Sequence, residues 1–257
     1  MRRPPLTAAE QRDIARRWRC ADRSLAALDR GVAQVYRAVA TAGQLDNTVF
    51  IFTSDNGMFR GEHRLAAGKV YPYQEAIHLP LLIKGPSRYF GGAQWVSTVA
   101  APVASIDLAP TLLALAGAKP CAAQARCRTL DGRSLIPLLS GSPAWPANRA
   151  LLTEYNASHA TRATCRYAGV KTPNAIYIRH LAIGNPRSAA RGCRHADFRE
   201  RYNLSVDPHE LRNLCFGGTG CPRDRLQRHL DRALHRLRRC AGIAGRDPRV
   251  DGRPFCE

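Results

Sequence analysis

The 257-residue chain has no uninterrupted apolar run near the ~18 residues that a membrane-spanning helix needs, so no span is expected. Internal repeats and low-complexity tracts are absent as well. Apolar residues make up 45% and charged residues 23%, a globular balance that excludes a disordered tail, a collagen or a simple coiled coil. At ~100–200 residues per domain, the length allows one large domain or two small ones.

Lysine is scarce. Lys69, Lys84, Lys119 and Lys171 stand beside 35 arginines. Acidic residues are few too, 20 against 39 basic ones, which gives a net charge of +19. Such an excess fits a polyanion binder or a compositional drift toward arginine. The chain has neither a basic tract interleaved with aromatics nor a known nucleic-acid motif, so drift is the preferred reading. No specific nucleic-acid partner is expected, and attraction to an anionic substrate suits either reading.

Zinc-type spacings are missing: there is no CxxC and no HxxxH. The nine cysteines fall instead into close pairs: Cys121 with Cys127, Cys165 with Cys193, Cys215 with Cys221 and Cys240 with Cys256. Four local disulfides with Cys20 left over imply an oxidising compartment, secreted or periplasmic. Yet Met1 to Leu6 reads MRRPPL and leads into a polar helix, with no apolar signal core. The expectation is that the true beginning precedes Met1.

Thr7-Ala8-Ala9-Glu10 spells a capping box. Apolar residues then recur from Ile14 through Trp18, Leu25, Leu28, Val32 and Val35 to Val39 in helical steps, which predicts one long helix with a buried stripe. Gly43 is placed to end it. Thr48 to Thr53 reads TVFIFT, a run typical of a central strand covered on both faces and paired in parallel. Leu79 to Ile83 predicts a second core strand, and the long loop between the two is of the kind that carries function. Asp107 opens a second helix that stops at Gly117. Leu151 to Tyr155, Tyr167 to Val170, Ala175 to Leu181 and Tyr202 to Leu204 predict a small antiparallel sheet, closed by a helix over Leu226 to Leu237. The chain is therefore divided near residue 147, into 1–147 and 148–257.

Asp55-Asn56 leaves the carboxyl end of the first strand, the edge where open α/β sheets bind ligands. A carboxylate beside an amide oxygen offers hard donors suited to Ca²⁺ or Mg²⁺, while Gly57 permits the turn. As a bare tetrapeptide, Ser54-Asp55-Asn56-Gly57 is equally a common turn signal.

The longer stretch Thr48 to Pro86, TVFIFTSDNGMFRGEHRLAAGKVYPYQEAIHLPLLIKGP, resembles the sulfatase family, in particular bacterial-type members acting on aryl or sugar sulfates. Further blocks continue the likeness in order: Ile106 to Gly117, Asp131 to Leu139, Tyr167 to Pro173 and Tyr202 to Leu214. The resemblance implies an α/β, alkaline-phosphatase-like fold: a partial central mixed or parallel sheet with flanking helices, followed by a small C-terminal antiparallel subdomain. It implies a sulfuric ester hydrolase, with Asp55 and Asn56 on the family's metal-ligand pair, normally for Ca²⁺. Lys69 falls on the lysine that contacts the sulfate. A compact ammonium there can stabilise charge on the ester oxygens as the S–O bond breaks. His63 is read as a possible donor to substrate or a packed loop histidine. Glu62 and Glu75 are read as structural, with arginines as their expected partners.

One family element is missing. The C/S-x-P-x-R pattern that matures to formylglycine occurs nowhere in the sequence; Cys221-Pro222-Arg223 has its proline one place too early. No histidine precedes His63 either. The expectation is the C-terminal portion of a sulfatase, inactive alone, whose partners are a sulfate-ester substrate and the missing N-terminal half of the sheet. The rivals are a phosphodiesterase or phosphonate hydrolase of the same fold, which tends to carry Asp-His where this chain has Asp55-Asn56, and a non-catalytic basic module binding polyanions.

Overall fold

The computed structural model describes residues 4–92, 98–118, 129–143, 145–156, 165–181, 198–216 and 220–257. They fall into two compact units, 1–86 and 87–257.

The first unit begins with α1, Ala8–Thr41, entered through the capping box that the sequence spells. The Glu10 amide donates to the Thr7 hydroxyl at 3.2 Å and the Thr7 amide donates to Glu10 Oε2 at 2.7 Å. The helix ends in a Schellman turn. Gly43 takes φ +66°, its N–H donates to the Ala40 carbonyl, and the Gln44 N–H reaches back to Val39. The predicted stripe forms, but it is not buried. No residue of α1 is buried, and Trp18, Leu25, Leu28, Val32 and Val35 are all exposed, Leu25 by 60%. Periodicity fixes which side is apolar; burial also requires a partner, and among the described residues the stripe has little. Tyr36 meets Phe50 with ring centroids 5.3 Å apart.

Two strands follow, β1 (Phe50–Thr53) and β2 (Leu81–Lys84), paired antiparallel with Ile51 opposite Ile83 and Phe52 opposite Leu82. The parallel pairing expected for Thr48–Thr53 is thus corrected. A run that is apolar on both sides reports coverage, not direction. The chain also returns through a loop whose helix, α2 (Gln74–Ile77), has only four residues, too little for the crossover that a parallel pair needs. Phe59, Leu65, Tyr71 and Ala76 from that loop form this unit's own buried cluster.

The second unit opens with α3, Leu108–Leu115, which stops at Gly117 (φ +67°) as expected, and with a short α4, Ile136–Leu139. Its sheet runs β3 (Leu151–Tyr155), β4 (Arg166–Thr172), β5 (Ala175–Leu181) and β6 (Arg199–Asn203), antiparallel throughout in that order. The antiparallel sheet predicted from the sequence is present. α5, Arg225–Leu237, lies on β4 and β3. Leu230, Ala233 and Leu234 meet Ala168 and Val170 of β4 and Ala175 and Tyr177 of β5 in one buried cluster. Asp224 caps α5, accepting from the Gln227 amide at 2.7 Å while both its oxygens take the Arg201 guanidinium at 2.9 and 2.8 Å. Those bonds hold the Asp224 carboxyl below its ordinary range, the Arg201 hydrogen bonds contributing most.

Cys215–Cys221 and Cys240–Cys256 are disulfides, as expected, and Cys165 is disulfide-bonded. Cys121, Cys127 and Cys193 lie outside the described residues. Among the described residues, Cys20 is free and exposed. No helix of the described residues is long and apolar enough to cross a membrane.

Candidate metal and anion site

The chain leaves β1 at Ser54 and turns at once. The Ser54 hydroxyl donates to the Asn56 carbonyl at 2.9 Å, the Asn56 amide donates to Asp55 Oδ1 at 2.9 Å, and Asn56 Nδ2 donates to the Gly57 carbonyl at 3.0 Å. Those three bonds fix the tetrapeptide. They use one carboxylate oxygen of Asp55 and the amide nitrogen of Asn56. Asp55 Oδ2 and Asn56 Oδ1 accept nothing from the described residues, and Asp55 is exposed. Two adjacent hard oxygens without internal duty fit Ca²⁺. They are also only a fraction of the six to eight donors it takes.

Gly57 is required by a close approach. Its N–H donates to the Ala76 carbonyl at 2.9 Å, and a Cβ at this position would stand 1.9 Å from the Glu75 carbonyl oxygen. The loop then folds back on itself: the Phe59 N–H donates to the Gly68 carbonyl at 2.9 Å. That single bond ties the segment carrying Asp55 and Asn56 to the segment carrying Lys69. Gly68 sits at φ +134°, a conformation that side chains resist, and Lys69 follows it on the surface, without an ion pair among the described residues. The anchoring is by backbone, which leaves all three candidate side chains their polar ends.

His63 is held differently. It takes φ +52°, and Arg64 after it +57°. Its ring stacks on Tyr73 at 4.2 Å and meets Phe59 edge-on at 6.0 Å. Its Nε2 lies 3.5 Å from Glu75 Oε2. The packed alternative for His63 is therefore the one realised, against Tyr73. Glu75 faces this histidine instead of an arginine, and Glu62 accepts from the Arg60 backbone N–H at 2.5 Å. Beside the loop a pocket of about 300 Å³ opens between α1 and residues 58–67, where the Arg60 guanidinium lies 4.1 Å over the Trp18 ring.

A network of four charged residues, Asp107, Arg133, Arg149 and Glu257, escaped the sequence reading. Asp107, fully buried, accepts from the amides of Ala104 and Arg133 at 2.8 Å each and from Arg149 through both guanidinium nitrogens. Glu257 bonds Arg149 and Arg133 from the other side. Nothing local marks them, because the partners lie tens of residues apart.

Two family models match the chain: the sulfatase model over residues 3–118, and the C-terminal model of N-sulphoglucosamine sulphohydrolase over residues 61–239. The chain belongs to the sulfatase family. It is 30% identical over 243 residues to an N-acetylglucosamine-6-sulfatase of Capra hircus, covering 88% of this chain and 41% of the relative. The chain thus spans about two fifths of the length of that curated relative. A solved structure of a protein in complex with its substrate, D-glucosamine-2-N,6-O-disulfate, matches at TM-score 0.61 and 26% identity, over 82% of this chain and 38% of that one. The phosphonate monoester hydrolase of Silicibacter pomeroyi matches at TM-score 0.58 and 26% identity, over 82% and 38%. The fold is accordingly α/β and alkaline-phosphatase-like, represented by part of its sheet.

Proposed function

We propose that the chain carries one side of a sulfuric ester hydrolase site, with Asp55 and Asn56 holding a divalent cation, Ca²⁺, and Lys69 neutralising the sulfate of an aryl or sugar sulfate ester. The observation that carries the reading is the unused oxygen pair at the end of β1, tied through the Phe59–Gly68 bond to the lysine segment. The cation, when bound, would orient the ester and draw charge from its oxygens. Asp55 and Asn56 would bind it. Lys69 would hold the tetrahedral anion and stabilise the charge that develops as the ester bond breaks. On this reading residues 1–147 belong to the catalytic α/β domain and 148–257 to the C-terminal subdomain. The disulfides fit a secreted or periplasmic location.

The sequence contains no C/S-x-P-x-R, so this chain supplies no formylglycine and no nucleophile of the family's kind. The expected behaviour of residues 1–257 by themselves is binding without turnover. Calorimetric titration tests the site. Ca²⁺ should bind weakly, with Kd on the order of 10⁻³ M. Asp55→Ala should abolish it and Lys69→Ala should leave it, whereas sulfate binding should be lost in Lys69→Ala. Ca²⁺ affinity untouched by Asp55→Ala overturns the assignment, and hydrolysis of an aryl sulfate by the chain alone overturns the claim of inactivity.

A second reading, a phosphonate hydrolase, is favoured by the Silicibacter pomeroyi match and disfavoured by Asn56 where such enzymes tend to have histidine. Methylphosphonate monoester competing with sulfate for Lys69 tenfold better would decide for it.

A further inference from the structure

The pocket between α1 and residues 58–67 lies wholly within the first unit. Its walls are mostly apolar, with Ile14 and Ala21 from α1 and Phe59 and Ala66 from the loop. The free thiol of Cys20 and the side chain of Arg60 complete the part that matters here. At about 300 Å³ it stands at the small end of ligand sites. It is still roomy for one aromatic ring, since an apolar cavity of ~150 Å³ already holds benzene.

Arg60 differs from the buried and half-buried arginines of the second unit. There Arg149 holds Asp107, Arg201 holds Asp224 and Arg246 holds Asp247. Arg60 pairs with no carboxylate among the described residues, and its Nη1 is buried without a hydrogen-bond partner. The Trp18 ring lies 4.1 Å from the guanidinium carbon. A π face offsets the charge, but it does not accept the in-plane N–H bonds of the guanidinium fork. The acids close by in sequence are engaged elsewhere. Asp13 takes Arg16 and Arg17 at 2.5 and 2.6 Å, Glu62 accepts from the Arg60 backbone N–H, and Glu75 faces His63. A buried charged donor left without an acceptor is costly. An arginine-rich composition accounts for the number of guanidinium groups in the chain, not for one with an unmet buried donor in the wall of an apolar pocket.

We propose that this pocket binds a small aromatic anion, with its ring among Ile14, Ala21, Phe59 and Ala66 and its anionic group on the Arg60 guanidinium. The apolar walls favour the ring, because both leave water. The anion supplies the acceptor that Nη1 lacks, in a charge-assisted hydrogen bond. Neither half of the ligand suffices. A bare anion leaves the pocket unfilled, and an uncharged ring leaves Arg60 without an acceptor. The site goes beyond the sulfate-ester reading and uses none of Asp55, Asn56 and Lys69.

The test titrates the purified chain with benzenesulfonate by calorimetry at about 150 mM NaCl, where long-range attraction to the net charge is screened. Kd should be on the order of 10⁻⁴ to 10⁻³ M, as suits a ligand of ten heavy atoms. Methanesulfonate, which lacks the ring, and benzyl alcohol, which lacks the charge, should each bind roughly tenfold more weakly or worse. Arg60→Gln should cost about tenfold or more. Ala21→Leu fills the pocket without changing charge or helix propensity, and it should cost as much. Arg23→Gln removes one exposed charge of α1 outside the pocket and should change Kd less than about twofold. Saturating benzenesulfonate should also slow the alkylation of Cys20 by N-ethylmaleimide about threefold or more, read by peptide mass, because the thiol shares the pocket. Methanesulfonate bound as tightly as benzenesulfonate, or equal losses in Arg23→Gln and Arg60→Gln, would reduce the effect to net charge and overturn the proposal. Unchanged Cys20 alkylation would put the ligand elsewhere and overturn it too. Lys69→Ala should bind benzenesulfonate as the wild type does, so failure of the ester site and failure of this pocket give different results.

Discussion

Arg149 grips Asp107 with two nitrogens, Nη1 at 2.5 Å from Oδ2 and Nη2 at 2.8 Å from Oδ1, where neither side chain reaches solvent. Burial alone would lower the arginine's pKa. Hydrogen bonds to Asp107 and Glu257 outweigh it and raise the pKa above its usual value. Through its other bonds Asp107 fastens the start of α3 to the Arg133 turn, which continues into α4. Arg149→Met should therefore destabilise the second unit by about 3–5 kcal/mol, since it strands a buried carboxylate. The double variant Asp107→Leu/Arg149→Met should recover only part of that loss, because the amides of Ala104 and Arg133 lose their acceptor. Urea midpoints of the three proteins check it. A double variant no more stable than Arg149→Met would show that the pair contributes more than mutual charge compensation.

The C-terminal residue takes part in the same network. The Cys240–Cys256 disulfide closes a separation of 16 residues, and the Ala244 N–H donates to the Glu257 carbonyl at 2.9 Å. Glu257 is thereby delivered to Arg149 and Arg133. Cys240→Ser/Cys256→Ser should cost about 3 kcal/mol from the unfolded-state loop alone. Glu257→Gln added to that variant should cost less than it does in the oxidised protein, because freeing the tail already loosens the contact. Denaturation of all four proteins tests the coupling, and strictly additive losses would refute it.

Tyr167 and Tyr177 give the second unit a defined alkaline limit. Burial pushes each up to about 12, with the nearby Asp231 charge adding to the effect at Tyr177. In the unfolded chain both phenols ionise near 10. Between those values the unfolded state binds fewer protons than the native state, so stability falls as pH rises. Below pH 10 the contribution is complete; from 10 to 12 it is lost. Thermal melts across this range should show a steep fall in Tm, and absorbance at 295 nm should show two tyrosines titrating only as the fold opens. Tyr177→Phe should flatten the fall by removing one titrating group from the core.

Features decided within one or two turns could be read from the residues. Thr7 and Glu10 are three positions apart, and their capping box needs nothing else. Gly43 and Gly117 end their helices for the same local reason. The C-terminal sheet was readable because β4 and β5 are short β-rich runs joined by a tight turn at Pro173-Asn174. The direction of β1 was not, since it depends on how the loop to β2 returns. The α1 stripe was legible as a pattern, while its exposure depends on what packs there. At the candidate site the residue types Asp55, Asn56 and Lys69 were evident. The backbone bond from Phe59 to Gly68 that joins their segments was not, because it depends on the φ +134° of Gly68 and on the loop core of Phe59, Leu65 and Tyr71.

That dependence gives Gly57 a sharp test. Its hypothetical Cβ would meet only backbone: the Glu75 oxygen at 1.9 Å, the Glu75 carbonyl carbon at 2.9 Å and the Ala76 Cα at 3.2 Å. No side chain can rotate away, so Gly57→Ala must separate the β1 exit from α2 and break the 2.9 Å bond from Gly57 N–H to Ala76. The expected cost is about 1–3 kcal/mol in the first unit, the range for overpacking. Ca²⁺ binding should also be lost, because Asp55 and Asn56 are held by the same turn. Met58→Ala next door, at an exposed position, should leave both nearly unchanged. Calorimetric Ca²⁺ titration and thermal melts of the two variants separate the outcomes. Wild-type melting and Ca²⁺ affinity in Gly57→Ala would mean that the turn tolerates displacement and that the pair of oxygens is not set by this close approach.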